Sequence, residues 1–259
     1  MFPVLVSPFH DTDGLMFAHL ESITPLLKNL FSRAFLSMTP LTQQTQAGRV
    51  EQLAADEFFA LNHNQPDTLI GDHFLAGYQN AAHHCAPTQV LHLCTLDRVV
   101  YALQSEHQAQ FVADIKAAND APEPILFQRS AAAWATHPRN YREIEHLATR
   151  AGEILFDKSL DFVWCHLVIQ AGRLKEILPR IQTHDLRVLA EMVLLLRDKL
   201  EIREVDWLAW EDPFIFSRNP EQMKEEFENS RREDRKRLGY TIPILQLLLE
   251  SIQFNRVSC

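Results

Sequence analysis

The sequence predicts an α/β protein whose mostly parallel, mixed sheet is flanked by helices on both faces, giving a three-layer sandwich. Apolar runs of strand length alternate with longer segments of helical period through most of the chain. Such alternation requires crossover connections, and crossovers produce a parallel sheet with helices on both sides. The runs are compact and rich in valine, leucine and phenylalanine, which is the pattern of strands buried on both faces.

The first half of the chain supplies four predicted strands. They are PVLVS at 3–7, AFLSMT at 34–39, TQVLHLCTLD at 88–97 and PILFQRS at 124–130. Apolar residues recur between them at three- and four-residue intervals, which predicts helices. These helices cover 15–31, 44–64, 73–85, 105–118 and 141–156, and Ser105 is a candidate N-cap for the fourth of them.

The last third is less regular and has the composition of an additional layer or a lid. LDFVWCHLVIQ at 160–170 and IREVDWLAW at 202–210 are predicted strands, and RVLAEMVLLLRDKL at 187–200 is a predicted buried helix. A long polar helix and a shorter apolar helix are expected after residue 219. Since no linker or repeat interrupts the chain, the sequence predicts a single domain over 1–259.

Composition and charge restrict the function. The 259 residues are 46% hydrophobic and carry a formal net charge of −9, which disfavours a broad nucleic-acid surface because phosphate neutralisation needs clustered Lys and Arg. No apolar stretch is long enough for a transmembrane segment, and the first residues lack the features of a signal peptide. Four sparse cysteines favour a reducing compartment, so a cytoplasmic location is expected.

Three polar loops follow predicted strands: SPFHDTDG, SMTPLTQQT and TLDR. In an open parallel sheet, ligands bind outside the carboxyl ends of the strands, so these loops are predicted to meet at one site. The same residues have a simpler interpretation, since Asp11, Asp13 and Thr42 are also suitable helix caps. The sequence leaves both interpretations open.

The DTDG stretch resembles the nucleophile motif of the haloacid dehalogenase family. That resemblance implies a phosphatase in which Asp11 attacks the phosphate and Asp13 acts as the acid. Two features depart from the motif. Leu15 follows the glycine, and three residues separate the predicted strand from Asp11.

The order of the segments VLVSPFHD, AFLSMTP and TQVLHLCTLDR resembles the GT-A fold of nucleotide-sugar glycosyltransferases, over roughly residues 3–130. The resemblance implies a Rossmann-like nucleotide-binding half at about 1–130 and an acceptor or lid half at about 131–259. It also implies a nucleotide-diphospho-sugar or other nucleotide ligand, with transfer of the sugar to an unknown acceptor. The residues implied to contact the nucleotide are Pro8, Phe9, His10, Asp11, Thr39, Arg98 and Arg129.

The resemblance places the metal-binding carboxylate motif at Thr95-Leu96-Asp97, where a hydroxyl stands in the first carboxylate position. Asp97 is therefore the predicted ligand of a divalent metal, Mg²⁺ or Mn²⁺, held jointly with the diphosphate. EVDWLAWEDP at 204–213 offers carboxylates beside two tryptophans, a combination that suits a sugar. Asp206 and Glu211 are the predicted acceptor-side bases.

Two alternatives stay open beside this interpretation. The loss of one carboxylate at Thr95 favours a non-enzymatic nucleotide-binding or protein-interaction module on the same fold. HHCAPTQVLHLC at 83–94 contains residue types that bind zinc, but adjacent His83 and His84 point in different directions on a helix, so structural roles are favoured there.

Overall fold

The centre of the molecule is a seven-stranded mixed sheet in the computed structural model, which describes residues 2–257. The strand order is β3-β2-β1-β4-β6-β5-β7. Only β6 runs against its neighbours, since it pairs antiparallel with both β4 and β5. The strands are β1 Val4–Phe9, β2 Arg33–Met38, β3 Phe59–His63, β4 Val90–Cys94, β5 Ile125–Arg129, β6 His166–Gln170 and β7 Glu201–Val205. This arrangement confirms the predicted fold class.

Helices cover both faces of the sheet and complete three layers. Their bounds are α1 Leu15–Leu30, α2 Pro40–Thr45, α3 Ala47–Ala54, α4 Ile70–His84, α5 Leu96–Gln104, α6 Gln108–Ala118, α7 Ala131–Thr136, α8 Arg139–Phe156, α9 Ala171–Ile177, α10 Arg187–Leu196, α11 Asp212–Ile215, α12 Pro220–Glu228 and α13 Arg231–Val257. Short 3₁₀ turns lie at Leu178–Arg180 and Asp206–Leu208.

Two hydrophobic cores lie on opposite faces of the sheet. In β1, Leu5 and Phe9 belong to the core that contains α1, α5 and α6, whereas Val4 and Val6 belong to the core that contains α4, α9 and α10. Because successive strand residues point to opposite faces, an apolar residue is needed at nearly every position. This explains why the strands are visible in the sequence as continuous apolar runs.

The structure corrects several predicted boundaries. The segment 44–64, predicted as one helix, contains α3 and then β3, whose FALNH stretch pairs parallel with β2. The 105–118 helix is preceded by a separate helix, α5, and Ser105 ends α5 instead of capping the next helix. The long polar helix predicted after residue 219 is interrupted at residues 229–230, where α12 ends. Its second half joins the predicted apolar helix in one helix, α13, which continues through Pro243.

Both halves of the chain contribute to the same sheet. β6 and β7 come from residues after 131, and β6 lies between β4 and β5 from the earlier part. The division into a nucleotide half and an acceptor half stays a prediction. Within residues 2–257, no helix combines the length and the apolarity needed to cross a membrane.

A buried histidine pair joins β4 to β6. His92 Nδ1 and His166 Nε2 are 2.9 Å apart and share a hydrogen bond, and both side chains are fully buried. Phe127 and Trp207 both pack edge-on against the His166 ring. Burial lowers the pKa of His92 well below its usual range and lowers the pKa of His166 to about 3.

We expect the histidine pair to make the protein sensitive to acid. The folded state keeps both imidazoles neutral, whereas the unfolded chain protonates them below a pKa of 6.5. The free energy of unfolding should therefore fall as pH drops below that value, by about 1.4 kcal/mol per pH unit for each histidine. Denaturant unfolding of the wild type at pH ~7.5 and ~5 measures this loss.

The double variant His92→Leu/His166→Phe removes both buried imidazoles. Its free energy of unfolding should therefore change less with pH between the two measured values than that of the wild type. His83→Gln, a change on the exposed surface of α4, is the control and should keep the wild-type slope. Equal slopes for the double variant and the wild type would contradict the assignment.

Candidate functional site

An open cleft of about 850 Å³ lies at the carboxyl ends of β1, β2 and β4. From β1 the chain builds β2 and β3 on one side, then returns to place β4 on the other side. The loops that follow these strands diverge, and this leaves a crevice at the point where the strand order reverses. The cleft is therefore where an α/β sheet of this topology binds a ligand.

The structure brings six of the predicted site residues together in the lining of this cleft. They are Pro8, Phe9, His10, Asp11, Thr39 and Asp97. Four other predicted residues, Arg98, Arg129, Asp206 and Glu211, lie outside the lining. The sequence order of the strands was sufficient to locate the loops, because parallel strands end at the same edge of a sheet.

Hydrogen bonds tie the loops after β1 and β2 to each other. His10 Nδ1 lies 2.9 Å from Thr39 Oγ1, which lies 2.8 Å from Thr42 Oγ1. The Thr42 hydroxyl accepts a hydrogen bond from the backbone N–H of Asp11 at 2.7 Å. This chain of contacts fixes one wall of the cleft before any ligand binds.

Asp11 caps α1. Its two carboxylate oxygens accept hydrogen bonds from the backbone N–H groups of Gly14, at 3.0 Å, and Phe17, at 2.8 Å. Burial raises the pKa of Asp11, and the neighbouring Asp13 contributes to the rise. Asp13 is exposed and accepts a hydrogen bond from the N–H of Leu15, which lowers its pKa.

The capping role disfavours a phosphatase mechanism at the DTDG stretch. Both oxygens of Asp11 accept hydrogen bonds from backbone N–H groups at the start of α1, which is the role of a helix cap. Gly14 adopts a left-handed conformation with φ 83° that places its N–H against Asp11. The polar DTDG loop therefore serves to start a helix at the edge of the cleft.

Two carboxylates from distant parts of the chain line the cleft, Asp97 at the start of α5 and Asp212 at the start of α11. One oxygen of Asp97 accepts a hydrogen bond from the Arg98 N–H at 2.8 Å, and one oxygen of Asp212 accepts a hydrogen bond from Trp210 Nε1 at 3.0 Å. Burial raises the pKa of Asp212, and the charge of Asp97 adds to the rise.

These two carboxylates fit a metal held jointly with a ligand. Among the described residues, no group of three or more His, Cys, Asp or Glu side chains is arranged to hold a metal ion by itself. Mg²⁺ is commonly bound through one or two carboxylates together with substrate phosphates. Among the described residues, Asp97 and Asp212 each have one carboxylate oxygen without a hydrogen-bond donor, and these oxygens are available to a metal that a phosphate ligand brings into the cleft.

Arg98 and Glu211 form a buried ion pair behind the cleft wall. Arg98 Nη1 also donates a hydrogen bond to the Ala209 carbonyl at 2.5 Å. Burial raises the pKa of Glu211, and the charge of Arg98 opposes the rise. To reach a ligand in the cleft, either side chain would have to leave this pair.

Arg129 and Asp206 are also engaged away from the cleft. Arg129 makes a bidentate contact with Asp161, at 2.9 and 3.0 Å, and an ion pair with Glu145 at 2.7 Å. Asp206 accepts a hydrogen bond from the Ser130 hydroxyl at 2.5 Å. Roles for these residues in nucleotide binding and in catalysis stay predictions.

Two residues of the cleft were not among the predicted site residues. Asp212 is one of the carboxylates in EVDWLAWEDP, but the sequence does not show which of the two adjacent acidic residues, Glu211 and Asp212, faces the cleft. His73 lies on α4, is buried in the cleft wall, and its Nδ1 has no hydrogen-bond partner among the described residues. Burial lowers the pKa of His73, which favours a neutral imidazole.

The charge of the cleft is unusual for a phosphate site. Its lining contains five aspartates and, within the described part of the chain, no Lys or Arg. The starts of α1, α4 and α5 lie at its edge, and helix N-termini carry partial positive charge. These partial charges are smaller than the charge of the five carboxylates, so a highly charged anion would need a metal ion to bind here.

We expect Asp11 to act as a structural cap. Asp11→Ala removes the acceptor for two backbone N–H groups and should lower the free energy of unfolding by about 1–2 kcal/mol. Asp13→Ala removes one exposed hydrogen bond and should cost less. Denaturant unfolding measures both changes, and an aspartyl-phosphate at Asp11, sought by mass spectrometry after incubation with a phosphate ester, would contradict the capping role.

Comparisons with known proteins find similarity in backbone structure only. No protein family model and no curated protein sequence matches the chain. The backbone is similar to that of 4-diphosphocytidyl-2C-methyl-D-erythritol synthase from Anaerococcus prevotii, with a TM-score of 0.48 and 8% sequence identity over 86% of this chain and 98% of that one.

The backbone is also similar to that of glucosyl-3-phosphoglycerate synthase from Mycobacterium tuberculosis, solved with Mn²⁺, uridine diphosphate and phosphoglyceric acid. The TM-score is 0.48 and the sequence identity 9%, over 78% of this chain and 67% of that one. At this level of similarity, the reactions of the two enzymes are not carried over to this chain.

Proposed function

We propose that the cleft binds the nucleoside diphosphate part of a nucleotide-sugar donor together with a divalent metal, and that the protein transfers the sugar to an acceptor. The observation that supports this proposal is that Asp97 and Asp212 line the same cleft at the switch point of the sheet. Carboxylates at this position suit a metal-bound diphosphate, and the loops after β1 and β2 supply walls for a nucleoside.

The proposed nucleoside site consists of the loops after β1 and β2, which are connected by the hydrogen bonds of His10 and Thr39. Pro8, at the end of β1, offers apolar surface to a base, and His10 offers a ring nitrogen on the exposed side. The Phe9 side chain is buried in the core beneath them. Since this wall is fixed by internal hydrogen bonds, little ordering should be needed when a nucleotide binds.

The charge of the lining makes the metal essential to this proposal. Five aspartates repel a diphosphate, and no Lys or Arg of the described residues lines the cleft to offset them. Mg²⁺ or Mn²⁺, when bound, would neutralise the diphosphate and stabilise the charge that develops on it as the sugar leaves. Asp97 and Asp212 are the residues that would hold it.

Transfer also needs a group that removes a proton from the acceptor. Asp206 and Glu211 are the residues predicted for this role, and both would have to be released from their present partners. If they are not released, the chain binds the donor without transferring it, which is the non-enzymatic module that the sequence also allows.

We expect nucleotide binding to depend on the metal and on both carboxylates. Calorimetric titration with uridine, cytidine, adenosine and guanosine diphosphates, each with and without Mn²⁺, should show binding of at least one of them only with the metal. Asp97→Asn and Asp212→Asn should each weaken that binding by about tenfold or more, which corresponds to about 1.4 kcal/mol.

Asp198→Asn is the matched control. It removes an aspartate that is 82% exposed and lies before β7, at the opposite edge of the sheet from the cleft. This variant should bind as the wild type does. Metal-independent binding, or equal binding by all four proteins, would exclude the proposed metal site.

Donor turnover separates a transferase from a binding module. We expect the wild type to release the sugar of a bound nucleotide sugar, to water or to an acceptor, and Asp97→Asn to lose this release together with metal-dependent binding. Chromatography of the reaction products measures it. Metal-dependent binding without any release would support the non-enzymatic alternative.

A further inference from the structure

Large apolar side chains surround the mouth of the cleft. Leu41 on α2, Ile70 at the start of α4 and Phe216 just after α11 are 49%, 51% and 51% exposed, and all three line the cleft. They come from three separate segments of the chain. Exposed apolar groups that converge in this way are typical of a site where an apolar ligand is covered on binding.

The apolar surface continues into the walls of the cleft. Leu15 and Met16 on α1, Phe74 on α4 and Ile215 on α11 line the same cavity. A ligand that covered the mouth could therefore extend an apolar body inward. Each aliphatic or aromatic side chain that loses its water on binding favours the complex through the hydrophobic effect.

Two residues beside the mouth have strained backbones. Asp67, which lines the cleft, has φ 67°, and Ser217, which follows Phe216, has φ 50°. Left-handed conformations are unfavourable for most residues other than glycine, and here they occur in the segments next to Ile70 and Phe216.

The charge of the cleft restricts the polar part of such a ligand. The lining is acidic, with no basic side chain among the described residues, so a carboxylate or phosphate that arrives without a metal is repelled. A hydroxyl group can hydrogen-bond to carboxylates or to the neutral imidazole of His73, and an ammonium group is attracted.

We propose that the cleft mouth binds an amphipathic small molecule that has an apolar body and an uncharged hydroxyl or a cationic amine as its polar end. The role of this molecule rests on the proposed function: if the protein transfers a sugar, the molecule is the sugar acceptor. The binding site itself depends only on the apolar mouth and the acidic lining.

Three probes of eight carbons each, with different polar ends, test this inference. 1-Octanol is neutral, n-octylamine is cationic, and octanoate, whose alkyl chain is one methylene shorter, is anionic. Ligand-detected NMR and calorimetry, without nucleotide or metal, should show binding of octanol and octylamine and at least about tenfold weaker binding of octanoate. The difference should follow from the acidic lining.

Substitutions at the mouth test its location. Ile70→Gln and Phe216→Ser, both at exposed positions, should each weaken octanol binding by about tenfold. Ile154→Gln is the matched control, because Ile154 is 70% exposed on α8 and lies outside the cleft lining. It should leave octanol binding unchanged.

The inference is overturned if none of the probes binds, if octanoate binds as well as the other two, or if the mouth variants match the Ile154→Gln control. Its failure is separate from failure of the proposed function. Amphiphile binding should survive in Asp97→Asn, which is expected to lose metal-dependent nucleotide binding. If nucleotides do not bind and the amphiphiles do, the site stands and only its role as the acceptor site is lost.

Discussion

β1 is hydrogen-bonded in parallel to β2 on one side and to β4 on the other. Because the chain builds outward from β1 in both directions, the loops at the carboxyl ends of these strands turn away from each other. The space between them is the cleft, and each residue assigned to it depends on this one pairing. A different neighbour for β1 would separate the His10 loop from Asp97.

The far wall of the cleft is held by polar contacts that are themselves buried. The segment after β7 is fixed by Arg98 through Glu211 and the Ala209 carbonyl. It is further fixed by Trp207 Nε1, which donates to Asp114 at 2.8 Å. An unpaired buried charge is costly, so these groups hold each other in place and fix the position of Asp212 beside Asp97. The residues outside the cleft thus supply its geometry.

The sequence was informative where local pattern and global fold agree. Continuous apolar runs identified β1 and β4, and the order of the strands placed the Pro8–Asp11 loop and Asp97 at one edge of the sheet.

β3 was missed because the stretch FFALNH fits a helical period as well as it fits a strand. It forms a strand because it pairs with β2, a contact that the local sequence does not show. The partners of Arg129, Glu145 and Asp161, are distant in sequence, so a buried ion cluster was indistinguishable from an exposed cationic site. His73 and Phe216 carry no local signal, since only the cavity around them gives them a role.

The position of β6 also affects how the chain must form during synthesis. β4 and β5 are made well before β6, yet β6 lies between them and pairs with both. Until residues 166–170 have left the ribosome, the nascent chain carries β4 with one open edge and β5 with neither neighbour. An open strand edge is a site for pairing with other chains. These edges close only when the antiparallel strand β6 arrives and pairs with both neighbours.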